Sequence, residues 1–557
     1  MKKSMTPWRR FIGLLQLDKR DIRQIIYYAI FAGLVALTLP LGIQAIVNLI
    51  QGAQVTTSWI VLVVLVTLGV GFQGILQLMQ FRILENVQQK IFTRSSFEFA
   101  YRLPKIRMSE LRNNYPPELV NRFFDTLTVQ KGLSKIVLDF PAAILQIFFG
   151  LILLSFYHPF FILYGFLLVT LIYFAFRYTA RKGLETSLRE SKSKYKVAHW
   201  LQEIARSLIS FKISGRTKLS MERNNQLTQS YLEARESHFK VLMFQFLQMI
   251  AFKVLITAGL LIVGGFLVLN QQMNIGQFVA AEIIILLIIA SIEKLITGLE
   301  SFYDVLTSLE KIGQVVDKEL EEQEGTEPFQ HKDTAHIVID DVGYTTPEGQ
   351  QILNGISLQL EPKDRVLLEG KSGSGKSTLL KLLSGLIQPT SGDIYVNDFS
   401  LKGMHINVYR SHIGQVLPEQ MPFEGTLLEN ITFGNPEISV DAVNRVIEQI
   451  GLQDFVRKQS KGIHSGVFSE GKQIPHSVSK RILLARAIVH NPKILILKDA
   501  LEHFDKKEAA KIIEYLGHPD RPWLLITSSS DHDWNKIATK RIHLEQGEIS
   551  KVKSNYA

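Results

Sequence analysis

The chain has 557 residues, 46% apolar and 20% charged, with 62 Lys and Arg against 52 Asp and Glu. That length exceeds the roughly 250–300 residues one hydrophobic core serves, so two or three domains are expected. The lack of cysteine excludes disulfides, thiol nucleophiles and cysteine-ligated metals, and the net charge of +10 leaves nucleic acid or an anionic membrane surface as partners until the charges are placed.

Lys2, Lys3, Arg9, Arg10, Lys19, Arg20 and Arg23, with Asp18 and Asp21, precede the first apolar run. This reads as a cytoplasmic lead-in to a retained helix rather than a cleavable signal peptide. Gln24 to Phe81 contains no charge and is long enough for two spans of roughly 20 residues. The polar patch 51–58 divides it into helices near 25–50 and 59–82. A second uncharged stretch, Phe140 to Phe176, is interrupted at Ser155-Phe156-Tyr157-His158-Pro159 and predicts helices near 138–156 and 159–180. A third pair, near 243–269 and 277–299, is joined by Asn270 to Gly276. Six spans follow, with both ends of the domain on one side.

Basic residues fix the orientation. The three short turns contain no Lys or Arg, whereas 82–138 contains ten and 177–240 contains fourteen, so those two segments and the N-terminus are expected in the cytoplasm. Much of the positive charge is thereby assigned to topology, and a nucleic-acid partner is not expected. Both segments are rich in helix formers, which predicts helices running well beyond the bilayer. Lys253 and Glu282 lie inside the last hairpin. Intramembrane ionisable residues are functional candidates. Lys253 reads as snorkelling inward, and Glu282 as facing either a cavity or water.

Residues 318–334, acidic and polar with Gly325 and Pro328, read as a linker. From 335 to 557 short β-branched runs alternate with helical patterns, as in an α/β domain. Gly370-Lys371-Ser372-Gly373-Ser374-Gly375-Lys376-Ser377-Thr378 follows the apolar run Val366-Leu367-Leu368 and completes G-x-x-x-x-G-K-[ST] between a strand and a helix. The glycines let backbone N–H groups turn inward around phosphates. Lys376 would neutralise the β- and γ-phosphates, and Ser377 would offer its hydroxyl to Mg²⁺, if bound.

With Ile352 to Leu358, Leu386 to Ile394, Leu483-Leu484-Ala485-Arg486-Ala487 and Asn491 to Leu497, this region resembles the nucleotide-binding domain of ABC transporters. Six helices ahead of it resemble the exporter-type half-transporter, over nearly the whole chain. The resemblance implies a multidomain protein: an all-α six-helix membrane domain (1–317), then an α/β P-loop ABC domain (335–557). It further implies ATP as ligand and a head-to-tail dimer with a second half-transporter, identical or not. A bilayer of the bacterial inner-membrane type, with the ABC domain cytoplasmic, and an optional periplasmic adaptor are implied too. By the same resemblance, Pro116 to Phe123 and Ala205 to Ser220 fall near the coupling helices.

Departures from the family pattern are systematic. Counting back from Asp505 and forward from Arg486 puts Lys498 at the Mg²⁺-coordinating Asp and Asp499 at the catalytic Glu. A cation at the metal position opposes the ion. Lys498 would then pair with an acid or lie on bound phosphate. Asp499 keeps a carboxylate on a shorter arm and is the one candidate base. The signature reads Ile474-Pro475-His476-Ser477-Val478, losing two glycines and one N–H. The glutamine position is Pro418, with Gln415 and Gln420 nearby, and the switch histidine is Ser528. The adenine-stacking position is Thr346, with Tyr344 beside it as a substitute. His476, His490 and His503 are too scattered for a metal site and read as structural. Three functions remain open: an ATP-binding exporter-type dimer with slow or absent hydrolysis, an active exporter using displaced residues such as Asp499 and Gln420, and a structural or regulatory membrane subunit.

Overall fold

In the computed structural model, residues 5–52, 57–112, 115–329, 334–529 and 534–554 are described. The chain divides into two compact units: residues up to Lys105 with Asn113–Lys318, and Ile106–Arg112 with Glu319–Ala557.

The first unit is helical. Among the described residues, five stretches are long and apolar enough to cross a membrane: Lys19–Gln51, Thr57–Lys105, Pro116–Ser155, Leu219–Leu269 and Ile275–Val316, with mean hydropathy 2.2 to 2.4 in their most apolar windows. The remaining expected span, near 159–180, falls on the helix Phe160–Arg206, whose apolar stretch among the described residues is Phe160–Thr170. The side chains at 171, 172, 174–176 and 178 lie outside the described residues, as do 53–56 of the first expected turn. At 1.5 Å per residue the helices Thr57–Arg102, Phe160–Arg206 and Leu219–Leu269 each exceed about 65 Å, twice the hydrocarbon thickness. The helix expected over 25–50 is broken at Leu37, because Pro40 has no N–H to give the Ala36 carbonyl. A helix not foreseen in the sequence, Pro7–Leu17, starts on a Thr6 cap, and its Arg10 donates to Asp317 at the end of the last long helix. Pro116–Asn121 and Leu208–Ile213 stand as short separate helices.

Apolar side chains on these helices point outward in bulk. Leu65, Leu68, Leu78, Phe81, Phe166, Ile262 and Leu269 are all more than half exposed. A surface this apolar is stable only against lipid or another protein. Ile275–Val316 is the exception, with half of its most apolar window buried inside the unit. Lys253 Nζ lies 3.8 Å from Glu293 Oε2, so this lysine has a carboxylate within the unit, and Glu282 is half-buried.

Among the described residues, the second unit contains twelve strands. They are β1 (Ile337–Thr345), β2 (Gln351–Leu360), β3 (Arg365–Glu369), β4 (Ser391–Val396), β5 (Phe399–Ser400) and β6 (Ile413–Val416). Then come β7 (Gly425–Thr426), β8 (Gly466–Val467), β9 (Ile494–Lys498), β10 (Leu524–Ser528), β11 (Lys540–Glu545) and β12 (Glu548–Ser554). A six-stranded sheet runs β12-β11-β3-β10-β9-β6, a four-stranded antiparallel one β2-β1-β4-β5, and β7 pairs with β8. From β11 to β6 the neighbours are parallel. Parallel strands covered on both faces read as unbroken apolar runs, which is what Ile494-Leu495-Ile496-Leu497 shows. Ile494 and Ile496 enter one core with Val366, Leu368 and Ile526, whereas Leu495 and Leu497 enter the other with Leu367 and Leu525. This alternation is the two-residue period of a strand.

Of the segment 318–334, expected as a linker, the described residues from Glu319 on belong to this unit. Arg410 donates to both Glu321 carboxylate oxygens, at 2.6 and 2.8 Å, and to the Gly385 carbonyl at 2.6 Å. Asn407 Nδ2 donates to Gln323, and Asn397 Nδ2 to the Pro328 and Thr334 carbonyls. Residues Ile106–Arg112 join the same unit through Arg107 N–H to the Glu319 carbonyl and a bridge from Ile106 to Leu320.

Burial pushes the imidazoles of His412 and His490 below their usual range. The folded state then binds these protons less readily than the unfolded chain, so stability present above about pH 6.5 is lost as the pH falls. Melting followed by circular dichroism at neutral pH and near pH 5 is expected to show a smaller acid loss in the His412→Gln, His490→Gln double variant than in the parent.

Candidate functional site

Strands β3, β10 and β9 lie side by side and parallel, so their carboxyl ends open on one edge, where α/β sheets bind ligands. The loop after β3 is the glycine-rich one. Gly370, Gly373 and Gly375 adopt positive φ of 140°, 82° and 99°, and Gly375 caps the helix Lys376–Leu383. At Gly370 an added Cβ would stand 2.2 Å from the Leu544 carbonyl oxygen, and at Gly375 2.5 Å from Leu353 Cδ2. Only glycine suits these two positions, on conformation and on space. Lys376 Nζ donates to the Gly370 and Lys371 carbonyls at 2.7 and 2.8 Å and approaches Ser374 Oγ at 3.3 Å. Burial first, and Lys498 second, hold the Lys376 ammonium below its ordinary pKa, with Asp499 pulling the other way. Ser372, exposed, and Thr378, half-buried, complete the loop and the first helical turn.

Lys498 ends β9, and its Nζ donates to Ser377 Oγ at 2.5 Å. The hydroxyl that the sequence marks for a metal ion therefore bonds an ammonium. Asp499 follows at a positive φ of 48°, its N–H donating to the Ser528 carbonyl at the end of β10. Lys376, Ser377, Lys498, Asp499 and Ser528, read separately from the sequence, thus gather at one edge. The sequence alone offered two partners for Lys498, an acid or a phosphate. The hydroxyl 121 positions away emerges only from the strand order.

Of the remaining stations, Pro418 and Gln420 follow β6, the strand beside β9, and so stand at this same edge. Tyr344, on β1, is paired opposite Leu353, the residue against Gly375, and so stands one strand from the loop. Thr346 is engaged in a turn, its N–H bonding the Gln350 carbonyl and its hydroxyl accepting the Gln350 N–H. Pro418 is exposed, and Gln420 Oε1 accepts the Leu417 N–H at 3.1 Å. Pro475 precedes the helix His476–Ile488 without a side-chain cap, and the His476 and His503 rings meet at 5.1 Å. In that helix Arg486 donates to the Asn430 carbonyl and side chain under the Phe433 ring at 4.5 Å. Burial lowers the pKa of Arg486 to about 10.

A glycine cradle between a parallel strand and a helix, in a chain that also carries long apolar helices, defines a P-loop nucleotide-binding domain joined to a membrane domain. Comparison with known families agrees: the ABC transporter transmembrane region matches residues 24–292, and the ABC transporter family matches residues 353–502. The chain belongs to the ABC transporter superfamily, as a half-transporter with one transmembrane region fused to one ABC domain. It is a multi-pass membrane protein.

Among curated proteins, the alpha-hemolysin translocation ATP-binding protein HlyB of Escherichia coli O157:H7 is 28% identical over 288 residues, 52% of this chain and 41% of that protein. The leukotoxin translocation ATP-binding protein LktB of Mannheimia glucosida is 28% identical over 292 residues, 51% and 40% of the two. The matched region thus spans about two fifths of these relatives. The structure of a bacterial Atm1-family ABC exporter with ATP bound shares the fold at a TM-score of 0.86 and 17% identity, covering 96% of this chain and 95% of that one.

Proposed function

We propose that this chain is an exporter-type half-transporter subunit whose ABC domain binds ATP through Gly370 to Thr378 and hydrolyses it slowly or not at all. Nucleotide occupancy, rather than turnover, then sets the conformation of a membrane dimer. A ligand bound only by the closed arrangement stabilises that arrangement by its differential affinity. The observation that carries the reading is the built phosphate cradle beside Lys498, whose ammonium sits 2.5 Å from the Ser377 hydroxyl. The residues of binding are in position, and a cation stands where the family places a metal-holding carboxylate. Asp499 is one methylene short of the family's base, and Pro475 gives no N–H to a γ-phosphate across a dimer interface. Basic loops favour a cytoplasmic ABC domain in a bacterial inner membrane, with a second half-transporter as partner and a periplasmic adaptor as a further one.

The test is phosphate release by the purified chain in lipid, beside Lys376→Ala and Asp499→Asn. The expected result is one background rate for all three proteins. Robust turnover abolished by both substitutions would reject the proposal in favour of an active exporter using Asp499.

A further inference from the structure

Magnesium is the ion the fold family brings with ATP, and the residues present do not fit it. Mg²⁺ takes oxygen ligands in an octahedral shell at about 2.1 Å. Ser377 Oγ, the loop's hydroxyl ligand for it, already accepts Lys498 Nζ at 2.5 Å. An ion bonded to that oxygen would lie within about 5 Å of an ammonium, with no water layer thick enough to screen the repulsion. Gln420 Oε1, an oxygen of the kind Mg²⁺ takes, already accepts the Leu417 N–H. Among the described residues no group of three or more acidic or histidine side chains gathers around a common point.

The charge balance points the same way. A carboxylate holding a dication carries one net positive charge, and so does a single ammonium. Lys498 thus supplies, with one covalently attached group, the charge that the family assembles from an aspartate and a metal. Together with Lys376 it places two cations at the mouth of the cradle, the second anchored on the Gly370 and Lys371 carbonyls. An ammonium is a compact point charge with three donors. It can release Ser377 and turn to a phosphate oxygen without leaving its place at the end of β9.

We propose that the nucleotide this domain takes is metal-free, with the Lys498 ammonium standing in for Mg²⁺ against the phosphates. The proposal rests on the reading that Gly370 to Thr378 binds ATP, and it adds the ionic form of the ligand. It links the two departures at 498 and 499 physically: with no metal to polarise the phosphate, a base has little to act on.

The experiment uses the full chain in lipid nanodiscs and equilibrium dialysis with radiolabelled ATP, in excess EDTA and in millimolar Mg²⁺. For the parent and for Lys498→Arg, saturable binding is expected in EDTA, and an apparent affinity about tenfold or more weaker is expected in millimolar Mg²⁺, which draws most of the free ATP into its own complex. Lys498→Asp is expected to lose about tenfold or more in EDTA and to regain it with Mg²⁺. The parent's own Mn²⁺ spectrum, read by electron paramagnetic resonance with ATP present, is expected to match that of Mn²⁺ and ATP in buffer, with no protein-bound ion. This arm stands even where the variant fails to fold. Binding by the parent that collapses tenfold in EDTA, or ATP-dependent capture of Mn²⁺ by the parent, overturns the metal-free proposal and leaves nucleotide binding intact. Lack of saturable binding in either medium overturns the binding reading itself, and this proposal with it.

Discussion

Gly414→Ala is expected to destabilise the second unit by about 4 kcal/mol or more, enough to remove most of a domain's net stability. Gly414 lies in β6, where the helix His476–Ile488 crosses the sheet edge. A Cβ there would stand 2.0 Å from the Ala487 carbonyl oxygen and 2.9 Å from Pro492 Cγ. Both obstacles are fixed: one is helix backbone, the other a proline ring, so no rotamer change relieves the overlap. Gly403→Ala is the control, since a Cβ there meets nothing within 4 Å and its φ is not positive. Urea unfolding of the two variants is expected to separate them by several kcal/mol, with Gly403→Ala within about 0.5 kcal/mol of the parent. A Gly414→Ala protein as stable as the parent would mean that β6 and this helix are not packed as described.

Lys376→Ala is expected to weaken ATP binding about thirty- to a hundredfold, the loss of a charge-assisted bond worth roughly 2–3 kcal/mol. The parent's ammonium is held ready by two backbone carbonyls and a serine hydroxyl, so little order has to be gained when phosphate displaces them. Lys371→Ala removes an equal charge from an exposed position in the same loop and is expected to cost less than about threefold, because exposed charges are screened. Dialysis with labelled ATP measures both. Equal losses would mean that the loop attracts nucleotide by general charge and not through a built cradle.

Much of the architecture was legible in the sequence because its signals are local. Uncharged runs mark membrane helices, continuous apolar runs mark buried parallel strands, and the loop from Gly370 to Thr378 carries its conformation in its glycines. The break at Leu37 was legible too, since Pro40 stands one turn beyond it, but a hydropathy reading averages over a single proline. Residues Ile106–Arg112 were not legible as part of the second unit. Their pairing with Glu319 and Leu320 joins positions over two hundred residues apart, and no local pattern encodes such a contact. The segment 318–334 has the composition of a linker, and only the placement of Arg410 shows that Glu321 is a docking residue. At the site, spacing alone placed Lys498 at the metal position, whereas its bond to Ser377 depends on β10 lying between β3 and β9.

The central claim is that ATP is held and not consumed. The most direct measurement incubates the purified chain in lipid with α-labelled ATP for hours, isolates the protein and identifies the nucleotide still bound by chromatography. Stoichiometric recovery of intact ATP is the predicted result. Bound ADP, with matching release of phosphate, would contradict it.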